Sequence, residues 1–293
     1  GSVTGDKVAS TGAFTIGAAG TASSLAGIPF YRADNSIYTH DVSGTDSTAE
    51  QNTAYGIGAL DAVTTGDKNT AIGYNAGTAL TEGTGYNVFV GWTAGSANTT
   101  GDFNTVLGAA ALIAATTSDN NIAIGPNAIQ SSDTEAHNLA IGRDALNVVN
   151  SGGEYNVAIG NYALSSLTSA DANVAVGYEA GKAITGGGDG VVVIGYQAGV
   201  ALTDCSSSVF IGYQAGDGHD DEDHNIGIGR HALGGSVAGG EYNIAIGSYV
   251  LDAVTSGDGN TAMGYAAAGA ITTGDYNTAI GYASMTNGAT TGD

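Results

Sequence analysis

Carboxylates and imidazoles have the most scope for chemistry in this 293-residue chain, and their spacing is periodic. An acidic residue stands two places before a recurring position, usually Asn, at Glu50, Asp67, Asp102, Asp119, Glu154, Asp171, Asp189, Asp223, Glu241, Asp258 and Asp275. If successive units stack, like charges line up about 5 Å apart, and each adjacent pair costs about 1 kcal/mol in water. Something must offset that repulsion. In one reading each carboxylate caps turn N–H groups of its own unit and stays solvated. In the other the row holds divalent cations, with Ca²⁺ the candidate because it takes hard oxygen ligands; Asp67, Asp102, Asp258 and Asp275 are then the candidate ligands. The densest cluster is D-G-H-D-D-E-D-H, from Asp217 to His224. There His219, Asp220, Asp221, Asp223 and His224 could ligate a metal, or form a solvated loop. The glycine-rich nonapeptide of calcium-binding β-rolls is absent, and no cofactor is required by any motif.

The remaining chemistry is sparse. No Ser/His/Asp arrangement, phosphate loop or zinc motif stands out, and the carboxylates repeat instead of forming one exceptional pair. The chain is therefore expected not to be an enzyme, with no catalytic residue assigned. Cys205 is alone, so no disulfide framework exists. With 28 acidic and 6 basic residues the formal charge is −22, which leaves too few cations to neutralise phosphates. Nucleic acid is excluded as a partner on that ground. No run of 18 apolar residues occurs, so membrane insertion is not expected.

The elements that position these groups come from a repeat. A phrase close to N-x-A-I-G-x-x-A returns every 17 or 18 residues from Asn52 onward, fourteen times, with an unbroken glycine from Gly56 to Gly281. A short fixed period means one supersecondary unit stacked on itself. In each unit β-branched or aromatic residues alternate with small ones, as in Thr70-Ala71-Ile72, which predicts a strand with one bulky and one nearly bare face. An alanine three places after the glycine, present in twelve units, fits a narrow inner corner. Gly-Asp pairs such as Gly66-Asp67 and Gly274-Asp275 predict turns. The Asn that opens most units is expected to form a hydrogen-bonded ladder along the stack. The fold class is all-β: a parallel β-solenoid, or β-roll, of about fourteen coils spanning residues 35–293. At the strand spacing that makes a rod of roughly 65–70 Å. Residues 1–34 lack the period and are expected to cap or join it, apart from a related turn at Phe14-Thr15-Ile16-Gly17. The chain closes in mid-pattern at Gly292-Asp293, so the array is expected to continue or to be capped by a further segment.

Aromatics add a second regularity. Tyr74, Trp92, Tyr178, Tyr196, Tyr213, Tyr265 and Tyr282 occupy the slot directly after the unbroken glycine, and Arg143 and Arg230 share it. In register they form a stripe, which either seals the rod or a subunit interface or receives a sugar or a partner chain.

N-T-A-I-G-Y-N-A-G (Asn69 to Gly77) and N-T-A-I-G-Y-A-S (Asn277 to Ser284) resemble the head repeats of trimeric autotransporter adhesins. They are more similar still to the N-T-A-I-G-Y arrays of phage tail-fibre and virion structural proteins, as is the lead-in from Tyr31 to His40. The resemblance implies a parallel homotrimer, intertwined or side by side, with bare strand faces near the common axis. It implies other virion or baseplate proteins as neighbours and a host-surface glycan or protein as a target, with the chain on the virion surface. The adhesin period is nearer 14 residues, a departure from this chain. A bacterial adhesin head on the cell surface is the alternative, and a tailspike-type glycan hydrolase is a third class.

Overall fold

The computed structural model describes residues 23–25, 28–33, 36–38, 48–83, 85–149, 151–235 and 239–286. Strands β1 (Ser23–Leu25) and β2 (Ile28–Ala33) pair antiparallel, and β2 pairs antiparallel with β3 (Ser36–Tyr38). From β3 onward every pairing is parallel. Fourteen three-residue strands, β4 (Thr53–Tyr55) to β17 (Thr278–Ile280), form one ladder in which each pairs with the next. Equivalent residues face each other at every step, as in Thr53↔Thr70 and Ala54↔Ala71. The parallel β-solenoid read from the repeat is the observed architecture. No helix occurs among the described residues, so none is long and apolar enough to cross a membrane. The turn at Phe14 lies outside the described residues.

The sidedness of the strands corrects one expectation. In all fourteen strands the middle residue is buried and both neighbours are exposed or half-exposed. The bare face therefore lines each coil's own interior, where Ala54, Ala71 and Ala140 sit at about zero exposure. The bulky face, such as Val88 and Ile72, points out. The resemblance placed bare faces near a shared axis; here they are already filled by the coil's own core, so only the bulky face is open to another chain. The coil is too narrow for two large residues across from each other. Inside, an alanine three residues after the glycine (Ala59, Ala76, Ala145) packs with Leu or Ile, and all are fully buried.

Volume is traded between slots. Five coils carry Ala in mid-strand and Leu or Ile six residues on, as in Ala140 with Leu146. Where mid-strand is Phe89 or Phe210, that later slot is Gly95 or Gly216, and a Cβ there would stand 2.2 or 2.3 Å from the ring. The unbroken glycine has a different reason. Its φ runs from +118° to +153°, and from Gly56 to Gly264 an added Cβ would lie 2.2–2.6 Å from the carbonyl oxygen of the next coil's glycine. That conformation and that approach exclude any side chain.

The expected asparagine ladder is present. The Asn104 Oδ1 accepts the Asn121 N–H at 3.0 Å, while its Nδ2 donates to the Ser118 carbonyl at 2.8 Å. The same pattern recurs at Asn87, Asn138, Asn225 and Asn243. Each of these five buried amides thus satisfies backbone groups in two coils at once, which holds the stack in register.

Candidate functional site

The open surface of the strand ladder is the most extensive feature of the rod. Its two outward slots per strand hold Thr, Val, Ile, Leu, Tyr or Met and no charged residue anywhere from Thr53 to Ile280. Several are well exposed, among them Leu107 at 49% and Ile280 at 70%. Aromatic rows flank it on both sides.

On the side after the glycine, the sequence-predicted stripe is present and partly stacked. Tyr178 and Tyr196 have ring centroids 5.4 Å apart, Tyr196 and Tyr213 5.3 Å, and Tyr265 and Tyr282 5.3 Å, all near parallel. Three residues missed from sequence make the row continuous. Tyr162 meets Tyr178 edge-on at 6.1 Å; His231 meets Tyr213 edge-on at 5.7 Å and stacks on Tyr249 at 5.4 Å; Tyr249 meets Tyr265 at 6.0 Å. They stand one residue later than the predicted slot, which hid them. Arg230 lies over Tyr213 and Tyr249, and Arg143 and Lys182 lie over Tyr162. Tyr74 and Trp92 are exposed farther along the same edge. Within the stacks the ring faces cover one another, leaving edges and hydroxyls to any partner. The Glu179 carboxylate beside Tyr178 raises its phenol pKa; Glu179 itself is lowered by hydrogen bonds from Lys182 (2.7 Å) and Gln197 (2.8 Å).

The second row, before the strand, escaped the sequence reading altogether. Its signal was an aromatic immediately ahead of the coil-opening Asn. Tyr86 stacks on Phe103 at 5.3 Å, His137 on Tyr155 at 5.0 Å, and His224 on Tyr242 at 4.9 Å, with Lys68 over Tyr86. Every described residue in this slot has φ between +54° and +67°. Holding non-glycine residues there is strained, and hydrogen bonds to the preceding coil fix them, as from the Tyr276 N–H to the Asp258 carbonyl at 2.8 Å.

The acidic column caps turns, but across coils and not within them. The Asp67 Oδ1 accepts the Glu50 N–H at 2.7 Å, Asp102 that of Gly85 at 2.8 Å, Asp258 that of Glu241 at 2.8 Å and Asp275 that of Asp258 at 2.9 Å. Each of these four aspartates thereby gains a charge-assisted bond that offsets repulsion along the column. The cluster from Asp217 to His224 is dispersed. His219 turns into the core beside Phe210, at 5.2 Å, with neither ring nitrogen hydrogen-bonded. Asp223 accepts the Ser206 N–H at 2.6 Å, and His224 joins the aromatic row. Asp220 and Asp221 do come together, with Glu222, their ligand atoms within 4.8 Å of one another.

Glu222 is buried and was not anticipated. Its Oε1 accepts the Gly239 N–H at 2.8 Å and its Oε2 the Asp220 N–H at 3.2 Å. Glu135 does the same five coils earlier, accepting from Asp133, Thr134 and Gly152. Both occupy a slot that elsewhere holds Gly101, Ser118, Ala170 or Cys205. The Cys205 thiol is fully buried, and burial pushes its pKa up to about 12, so it is unreactive. A shallow groove of about 460 Å³ lies beside Tyr249, Asp252 and Tyr265. No protein family, curated protein or solved structure was found to match this chain.

Proposed function

We propose that this chain is the structural shaft of a virion fibre or related appendage, assembled from parallel copies of itself and serving attachment to a host surface. A homotrimer is the assembly that the family resemblance implies. The observation that carries the proposal is the uncharged, bulky strand face running unbroken along the rod. In a chain of charge −22 this strip lets identical copies meet without facing like charges. The strip, about 65 Å long and bordered by aromatics, offers on the order of 1,000 Å² per copy, above the roughly 800 Å² per partner of a stable interface. Repetition without an exceptional polar site suits a spacer or adhesive rod and assigns no catalytic role.

Antibodies raised against the chain, applied to purified particles and to cells from its source, test the placement. Decoration of particle appendages supports the fibre. Decoration of a bacterial envelope in its place would make the chain an adhesin head.

A further inference from the structure

The two aromatic edges are matched layer by layer, although they do not touch within one chain. In four layers the residue before the coil-opening position is small, and there the ring on the other edge stands directly after the glycine: Ala172 with Tyr178, Gly190 with Tyr196, Ser207 with Tyr213, and Gly259 with Tyr265. In three layers the first edge carries a ring, and the ring on the other edge is set back by one residue: Tyr155 with Tyr162, His224 with His231, and Tyr242 with Tyr249. The set-back rings are less exposed than those directly after the glycine. Phe103 is matched by Ala109 and Ala110. Lys68 with Tyr74, Tyr86 with Trp92, His137 with Arg143, and Tyr276 with Tyr282 depart from the pattern, filling both sides of a layer, and the His224 layer carries Arg230 directly after its glycine. No ring pair among the described residues joins one edge to the other; apart from Phe210 with His219 in the core, the ring contacts run along an edge.

We infer that the edges meet between copies: the ring after the glycine of one chain seats in the small-residue notch of its neighbour at the same coil level. This deepens the assembly proposed above and rests on it. The symmetry follows from the sides involved. An axis along the rod brings one edge of a copy against the opposite edge of the next, at equal height. A two-fold axis across the rod would bring like edges together, Tyr196 against Tyr196, with nothing to gain from the alternation. The copies are therefore parallel and unshifted, and the knobs and notches set the register that the uniform aliphatic strip cannot. A slip of one coil would put Tyr213 at the level of Gly190 without penalty, but the same slip would set Tyr178 against Tyr155 and Tyr265 against Tyr242. Register is held by the whole row, not by one pair.

Disulfide trapping in the full chain carrying Cys205→Ala tests this. Cys205 is buried in a slot that holds Ala170 two coils earlier, so that change is tolerated. Gly190→Cys with Tyr196→Cys places one thiol on each edge of the same layer; Gly190→Cys with Asn161→Cys places them two coils apart. Two coils are roughly 10 Å, beyond the reach of a disulfide. Mild oxidation should convert the same-layer variant to covalent multimers on a denaturing gel and leave the offset variant at least tenfold less linked. A second variant reads the fit without oxidation. Gly190→Tyr should raise the dissociation concentration about tenfold, and adding Tyr196→Ser should restore it. The new side chain fits the single coil, since a Cβ at Gly190 meets nothing within 4 Å and its φ of +67° is close to that of Tyr155 at +59°. Equal linking of both pairs, or linking of neither in a chain that light scattering finds assembled, overturns the matched edges alone. A monomer by light scattering overturns the assembly as well.

Discussion

Acid should loosen the coil around Phe210 through one buried imidazole. His219 has no exposed surface and neither ring nitrogen is hydrogen-bonded, and burial depresses its pKa from 6.5 to about 4, opposed by the Leu233 backbone and the Asp220 charge. The folded state therefore holds fewer protons than the unfolded state between those two values. Its contribution is fully present above pH 6.5 and is lost as pH falls through 4. At pH 4.5 linkage gives a loss of about 2.5 kcal/mol relative to pH 7.5. Carboxylates titrate over the same range, so the reading must be a difference. His219→Leu supplies it, because Leu202 fills the same slot one coil earlier and is fully buried. Guanidinium unfolding of both proteins at pH 7.5 and 4.5 should show the wild type losing about 2–3 kcal/mol more than the variant. At pH 7.5 the variant should also be the more stable, by about 1–3 kcal/mol, since it removes unsatisfied buried polar atoms. An equal acid loss in both proteins, or a His219 resonance titrating near 6.5, would refute the burial argument.

Other expectations follow from the same packing. Gly91→Ala should unstack the array locally, because its φ of +143° and a Cβ 2.4 Å from the Gly108 carbonyl oxygen leave no room; proteolysis at flanking turns reads it. Phe89→Ala should cost about 3–5 kcal/mol in chemical unfolding, and Gly95→Leu, harmful alone, should recover part of that loss in the double variant. Asn104→Ala should cost about 2–3 kcal/mol and raise hydrogen exchange at Asn121, whose N–H it caps. If the acidic column works by capping, Asp258→Ala should lower the melting temperature, whereas adding or chelating Ca²⁺ should not change it.

The repeat made the ladder legible because each recurring residue has a single structural use. The unbroken glycine marks a place without room, and the recurring Asn marks a buried amide that bonds two coils. Sidedness was less legible. Alternation in Thr70-Ala71-Ile72 announces two faces but not which is inner, and bulky residues are ordinarily the buried ones. Here the small cross-section reverses that, since Ala71 is all the interior admits. The acidic column was read correctly as capping but placed in the wrong coil, because a sequence shows Asp67 near its own turn and not the Glu50 N–H 17 residues back. The densest cluster misled for a related reason. His219 occupies the slot that Ile184 and Leu202 fill, so its position in the period, more than its charged neighbours, decided where it points. Glu135 and Glu222 gave no signal beyond standing where glycine or alanine recurs.

The central claim is that copies assemble on the outward strand face. Light scattering on the purified chain at micromolar concentration tests it most directly, beside a variant with Ile194→Lys and Ile211→Lys on that face. The account predicts a native mass near three times 28.7 kDa, falling to 28.7 kDa in the charged variant while its far-ultraviolet spectrum is unchanged. A wild type of 28.7 kDa, or an assembly indifferent to both lysines, would contradict it.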